Sequence, residues 1–232
     1  MGIETKLERP KSLTAMAKQE IRDAIIEGRL SFSEQLSESA LAAKLGISKT
    51  PVREALLQLK LEGLVDIEPQ RGTFVFSLTE EQVHEICRFR EVIETAALAL
   101  AMERDYEGLA GRLALVLKQP HLERPEQVLS GQIDADFHSA ILECCGNAYL
   151  QRAYDLISDK IHALRARLPT SDPHVDACRN THAAIASLLR QGNIEEAQLT
   201  LSQHILSTEE SYLAAIAVSQ SSKNVLNLAS NA

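Results

Sequence analysis

Alternation of apolar and polar residues at period two occurs once in this chain, between residues 64 and 76, and every other patterned stretch repeats at helical spacing. Leu64-Val65-Asp66-Ile67-Glu68 alternates as a half-buried strand, Pro69-Gln70-Arg71-Gly72 reads as a turn, and Thr73-Phe74-Val75-Phe76 returns. With one hairpin among many helical segments, the chain has to bury most of its apolar surface by packing helix on helix. Composition agrees: 4% of the 232 residues are aromatic and none is Trp, so Ala and Leu supply most of the apolar surface.

Three helical patterns precede the hairpin. The first covers about residues 14–28, with Met16, Ile21, Ala24 and Ile25 on one face and Gly28 as its stop. Ser37 caps a short second helix carrying Leu41, Ala42 and Leu45, and Gly46-Ile47 makes a tight turn. The third begins at Ser48 or at Thr50; the second choice puts Pro51 at the first helical position. Val52, Ala55, Leu56 and Leu59 form its apolar stripe, Lys49, Arg53 and Lys60 are left to face outward, and Gly63 ends it. Three helices followed by a hairpin is the winged helix-turn-helix pattern, assigned here to residues 1–77.

After a short linker, Thr79 and Gln82 form a capping box that opens a helix reaching about residue 104. Further helices are expected at 107–118, 126–146, 148–168, 174–191 and 194–217. Breaks fall at Pro120, Gly146-Asn147, residues 169–173 and Gly192-Asn193. The expected fold is therefore mainly α, with an all-α antiparallel helical bundle over residues 78–218 and a flexible, Ser- and Asn-rich tail over 219–232.

The net charge of −8 is unevenly placed. Residues 1–77 hold eleven Lys and Arg against eleven Asp and Glu, and the remainder holds thirteen against twenty-one. An acidic second half is a poor nucleic-acid face. Between residues 44 and 60, Lys44, Lys49, Arg53 and Lys60 face only Glu54 as an acid, a local basic stripe. No apolar run approaches the roughly 18–20 residues that span a bilayer, and the first dozen residues lack an apolar signal core. A cytoplasmic protein with no membrane partner is expected. Cys87, Cys144, Cys145 and Cys178 fit no CxxC spacing and are expected to be reduced thiols.

A helix entering the major groove needs hydroxyls and cations on its first turns. Ser48, Lys49, Thr50 and Arg53 supply them, and Arg71-Gly72 at the hairpin tip offers a cation and a backbone able to approach closely, as a minor-groove wing would. The competing reading of the same residues is an ordinary solvated helix face.

A second constellation suits a metal ion. Asp134 and His138 lie at i and i+4, on one helix face. His182 and His204 flank the Gly192-Asn193 turn at nearly equal distances, roughly 16–18 Å from it at about 1.5 Å per residue, so an antiparallel helix pair brings them level. Three imidazoles and a carboxylate suit a divalent ion (zinc first, with nickel, manganese or cobalt as alternatives) and leave coordination positions open. Asp136, two residues from Asp134, should face elsewhere. His84, His121, His162 and His174 have no comparable arrangement, and isolated helix histidines are usually solvated or packed.

The strings Leu36-Ser37-Glu38, Leu41-Ala42, Leu45-Gly46-Ile47-Ser48-Lys49-Thr50-Pro51-Val52-Arg53-Glu54-Ala55-Leu56, Glu62-Gly63-Leu64-Val65 and Arg71-Gly72 resemble the signature of GntR-family transcription regulators. The resemblance implies DNA-contact roles for Ser48, Lys49, Thr50, Arg53 and Gly72. Two positions depart from it: the family most often has Arg where Lys49 stands, which removes a planar fork, and often has Arg where Ser39 stands. Phe89-Arg90-Glu91-Val92-Ile93-Glu94, Asp134-Ala135-Asp136-Phe137-His138, Gly146-Asn147 and the His182–His204 spacing look like the family's FadR-type, metal-containing FCD ligand domain. That likeness implies an ion at Asp134, His138, His182 and His204, completed by a small carboxylate effector, with Arg90 beside the effector. It also implies a homodimer on a roughly palindromic operator, acting as a repressor released by that effector. A direct metal sensor and a metal-dependent hydrolytic enzyme use the same residues. The enzyme lacks a recognisable general base, since Glu143 and Asp155 belong to no motif.

Overall fold

The structure, a computed structural model, describes residues 12–118, 126–168 and 173–230. Of the expected breaks, Pro120 and residues 169–172 lie outside the described residues, as does His121. The chain divides into two compact units, residues 1–25 with 29–77 and residues 26–28 with 78–232.

The first unit holds α1 (Leu13–Ile26), β1 (Gln35–Leu36), α2 (Glu38–Leu45), α3 (Lys49–Leu61), β2 (Val65–Glu68) and β3 (Gly72–Val75). Its core follows the expected stripes with one exchange: Ile21, Ala24 and Ile25 of α1 and Val52, Ala55, Leu56 and Leu59 of α3 are buried, but Met16 is 54% exposed and Ala17, one position on, is buried in its place. Ser37 caps α2 by accepting from Ala40 N at 3.3 Å, and Gly46 ends that helix in the left-handed region at φ 67°. Helix α3 begins at Lys49 with Ser48 as its N-cap, so Thr50 is not the cap and Pro51 sits two positions further in. Its missing N–H still costs nothing there, because the first four helical N–H groups have no intrahelical partner.

The hairpin pairs Val65 with Val75 and Glu68 with Gly72, but it is part of a three-stranded antiparallel sheet in the order β1-β3-β2. Strand β1 pairs Gln35 with Phe74 and Leu36 with Thr73. Two residues carry no readable periodicity, which is why this strand escaped the sequence pattern.

The second unit contains α4 (Glu80–Leu117), α5 (Glu126–Cys144), α6 (Ala148–Arg165), α7 (Pro173–Arg190) and α8 (Ile194–Ser230). Thr79 and Gln82 form the expected reciprocal capping box. The two helices expected before residue 118 are one element with a kink: Asp105 leaves helical geometry at φ −152°, ψ 65°. Its Oδ1 then accepts from Gly108 N at 3.0 Å, recapping the second half. At the other end, α8 continues to Ser230, beyond residue 218 where the helical pattern stops being legible.

Helix α4 packs against the other four helices of the unit. Leu98, Leu109, Leu113, Phe137 and Ile141 fill its interior. The same interior also buries Arg90, Glu94, His138, Arg165, His182 and His204, each 5% exposed or less. Isolated charges there would carry a large desolvation cost, so this polar cluster needs its own account. No helix among the described residues is long and apolar enough to cross a membrane.

Candidate metal centre and nucleic-acid interface

All five helices of the second unit contribute to the buried polar cluster. Asp134 and His138 come from α5, His182 from α7 and His204 from α8, and their ligand atoms lie within 4.8 Å of one another. The three Nε2 atoms converge: His182 to His204 is 3.0 Å and His204 to His138 is 3.3 Å. Asp134 Oδ1 lies 3.3 Å from His182 Nε2, 3.4 Å from that of His138 and 3.8 Å from that of His204. Metal–ligand bonds of about 2.0–2.1 Å put neighbouring donor atoms about 3.0 Å apart at right angles and about 3.4 Å apart at the tetrahedral angle. Four of these five edges fall in that range and the His204–Asp134 edge, at 3.8 Å, is longer, so the donor set fits a divalent ion after a small inward shift. His182 and His204, expected to come level across the Gly192-Asn193 turn, bring their Nε2 atoms to 3.0 Å. Asp136 instead accepts from Gln132 Nε2 at 2.8 Å and stands outside the cluster.

The surrounding groups set the chemistry of the donors. Burial pushes His182 well below the ordinary imidazole range and lowers His204 as well, so both present neutral rings with lone pairs. His182 stacks on Phe137 with ring centroids 3.9 Å apart, which fixes its plane. His138 turns Nδ1 toward Glu94 and Nε2 toward the cluster, the arrangement in which an outer carboxylate orients a ligating imidazole. Burial opposes charge on Glu94, yet Arg90 and His138 outweigh it and hold the carboxyl at about 2. Burial likewise opposes charge on Asp134, but Arg165 and His138 hold it well below the usual range. Arg165 presses Nε against Asp134 Oδ2 as an ion pair without the alignment of a hydrogen bond.

Arg90 is committed only in part. Its Nε donates to Glu94 Oε1 at 2.8 Å, while Nη1 and Nη2 are buried with no hydrogen-bond partner among the described residues. This i, i+4 ion pair with Glu94 uses one edge of the guanidinium and leaves the fork open.

In the first unit, Ser48, Lys49, Thr50 and Arg53 are all exposed at the start of α3. Ser48 makes no side-chain cap hydrogen bond, so its hydroxyl is free of that duty. Arg53 is not an isolated cation: its Nε donates to Glu38 Oε1 at 2.9 Å and its Nη2 to Glu38 Oε2 at 2.7 Å. Glu38 is ionised more readily for it, its carboxyl lowered first by this hydrogen bond. At the hairpin tip, Gln70 and Gly72 have φ of 62° and 122°. Exposed Arg71 pairs with Glu68, and its carbonyl accepts from Gln35 Nε2 at 3.2 Å. A Cβ on Gly72 would meet only the mobile end of the Gln35 side chain, at 2.8 Å, so this turn needs Gly for its φ.

Residues 13–75 match the family described as bacterial regulatory proteins of the gntR family, and residues 85–207 match the FCD domain. The chain is a GntR-family regulator with an FCD domain. It is 29% identical over 210 residues to a probable D-xylose utilization operon transcriptional repressor of Paenarthrobacter nicotinovorans, covering 83% of this chain and 86% of that one. It is 27% identical over 217 residues to the transcriptional repressor RspR of Escherichia coli K12, covering 91% and 93%. A putative GntR transcriptional regulator from Rhodococcus sp. RHA1, solved by crystallography, superposes with a TM-score of 0.72 at 26% identity, covering 88% of this chain and 99% of its own.

In this GntR–FCD chain, three residues at the sites carried no readable sequence signal as site residues. Arg165 on α6, and Tyr212 on α8 two turns beyond His204, are single polar residues buried at 5% and 0% exposure, and that burial follows only from packing. Glu38 opens α2 and was legible as a first-turn acid, but its reach to Arg53 required the turn geometry.

Proposed function

We propose that this GntR–FCD chain is a ligand-responsive repressor that binds operator DNA through α3 and the hairpin tip. In this reading Ser48, Lys49, Thr50 and Arg53 enter or flank the major groove, and Arg71 and Gly72 approach the minor groove as a wing. The FCD unit holds a divalent ion, zinc in the first instance, with Asp134, His138, His182 and His204 as ligands. When bound, the ion supplies Lewis acidity and open coordination positions for a small carboxylate. Arg90 turns its open fork to that carboxylate, Glu94 orients His138, and Phe137 fixes the plane of His182. The active form is a cytoplasmic homodimer on a roughly palindromic operator.

The observation that carries this reading is the convergence of three imidazole nitrogens and one carboxylate oxygen at ligand-edge spacing, beside a buried arginine with an unserved fork. The effector must then weaken operator binding by the same factor by which the operator weakens effector binding. The test is an operator-binding assay on the zinc-loaded chain, on chelator-stripped chain, and with added carboxylates. Release of DNA by a carboxylate only when metal is present supports the proposal. Loss or gain of DNA binding on chelation alone, with no carboxylate response, transfers the assignment to a direct metal sensor. Carboxylate turnover without DNA affinity transfers it to an enzyme.

A further inference from the structure

The interior of the FCD unit holds more unserved donors than one carboxylate can engage. Nη1 and Nη2 of Arg90, and Nη1 and Nη2 of Arg165, are buried without a hydrogen-bond partner among the described residues. The Tyr212 hydroxyl is in the same condition. Arg90 is 1% exposed, Arg165 5% and Tyr212 0%, so bulk water does not serve them. Buried polar atoms are nearly always paired in native structures, and five orphans in one bundle point to a ligand. They come from α4, α6 and α8. Arg165 pairs with Asp134, Arg90 pairs with Glu94, which meets His138, and Tyr212 lies two turns beyond His204 on the same face of α8, so all three border the donor cluster.

Charge leads to the same place. Arg90 forms an ion pair with Glu94 and Arg165 with Asp134, and the three imidazoles are neutral when they act as ligands. These buried charges cancel. A divalent ion, on the reading proposed above, leaves two positive charges uncompensated in an apolar bundle, an arrangement that one carboxylate only halves. Donor supply agrees: the four Nη atoms carry about eight N–H groups, whereas a carboxylate accepts at about four positions, some of them facing the ion.

We propose that the effector is a small dicarboxylate, with one carboxylate on the open positions of the ion held by Asp134, His138, His182 and His204. The second is taken by the Nη atoms of Arg90 and Arg165, with the Tyr212 hydroxyl donating to it. This inference rests on the metal and carboxylate roles proposed for the site, and its test separates the two.

The zinc-loaded full chain is titrated by calorimetry with matched pairs, succinate against butyrate and glutarate against valerate, and with inorganic phosphate. The expected result is that a dicarboxylate binds at least tenfold more tightly than the monocarboxylate of equal length. Tyr212→Phe and Arg165→Lys, which keep the ring and the cation, should each shrink that ratio at least threefold while bound zinc stays stoichiometric by mass spectrometry. Equal affinity within both pairs overturns the inference and leaves the carboxylate reading standing, as does phosphate binding as tightly as either dicarboxylate. An undiminished ratio in both variants removes the two residues and overturns it. If zinc is retained and no carboxylate binds, both readings fall; if zinc itself is not held, the metal assignment is the one that failed.

Discussion

Glu94 and His138, 44 residues apart in sequence, meet inside the FCD bundle through Oε2 and Nδ1, and the other Glu94 oxygen accepts from Arg90 Nε at 2.8 Å. One carboxylate thus fixes the tautomer of a donor imidazole and compensates a buried guanidinium. Glu94→Gln removes the charge but keeps the shape. Stability in urea should fall by about 3 kcal/mol, because Arg90 is left without its counter-charge. Zinc affinity should fall roughly 10- to 100-fold as His138 loses its orienting partner. A variant with wild-type midpoint and wild-type zinc affinity would show that the contact is ornamental.

His182→Ala and Asp134→Asn should each yield purified protein with sub-stoichiometric zinc, whereas Asp136→Asn should retain a full complement. Operator binding without effector should survive in all three. At zinc about a thousandfold above its dissociation constant, metal binding stabilises the wild-type chain by about 4 kcal/mol, and this increment should vanish in the first two variants only. Elemental analysis and thermal melts with and without chelator read both quantities.

Acidification should destabilise the metal-free chain in two stages. His182 and His204 are held below their ordinary range when folded, so the unfolded chain binds more protons as pH falls through about 6.5, and stability drops there. Glu94, at about 2, and Asp134, also lowered, add a second loss as pH falls below about 4.3, where the unfolded carboxyls protonate first. Both stages have the same sign, so melting temperature should rise from pH 4 to pH 7. A flat profile over that interval would refute the neutral-imidazole, ionised-carboxylate arrangement.

Arg53→Ala should weaken binding to operator and to random DNA alike and lower the salt slope by about one. The bidentate contact with Glu38 adds a sharper expectation. Glu38→Gln frees the guanidinium and removes an anion from the basic stripe, so affinity for random DNA at low salt should rise several-fold. Unchanged affinity in both variants, measured by fluorescence anisotropy, would take Arg53 out of the interface.

Much of this architecture can be read from local chemistry. The Ser37 cap, the left-handed Gly46, the Thr79–Gln82 box and the stripes of α1 and α3 each follow from a few neighbouring residues. The level placement of His182 and His204 follows from counting residues either side of one turn. Strand β1 was not legible because two residues show no period, and the start of α3 because Ser48 and Thr50 are both good caps. Arg165 and Tyr212 were hidden for a different reason. Helical position tells which face a side chain occupies, but not whether a polar residue on that face will find a partner. The unserved fork of Arg90 could not be foreseen either, since Glu94 at i+4 looks like a complete explanation until the hydrogen bonds are assigned atom by atom.

The cluster joins residues that are distant along the chain: His182 and His204 are separated by 22 positions, and His138 and His204 by 66. An ion held there closes those loops as a covalent bridge would, restricting the unfolded chain most where the loops are longest. Unlike a disulfide, such a staple does not depend on the redox state of the compartment, and it can be withdrawn by competition for the metal. The lifetime of the repressor would then follow metal supply, with scarcity loosening the bundle and exposing it to proteolysis before any effector arrives.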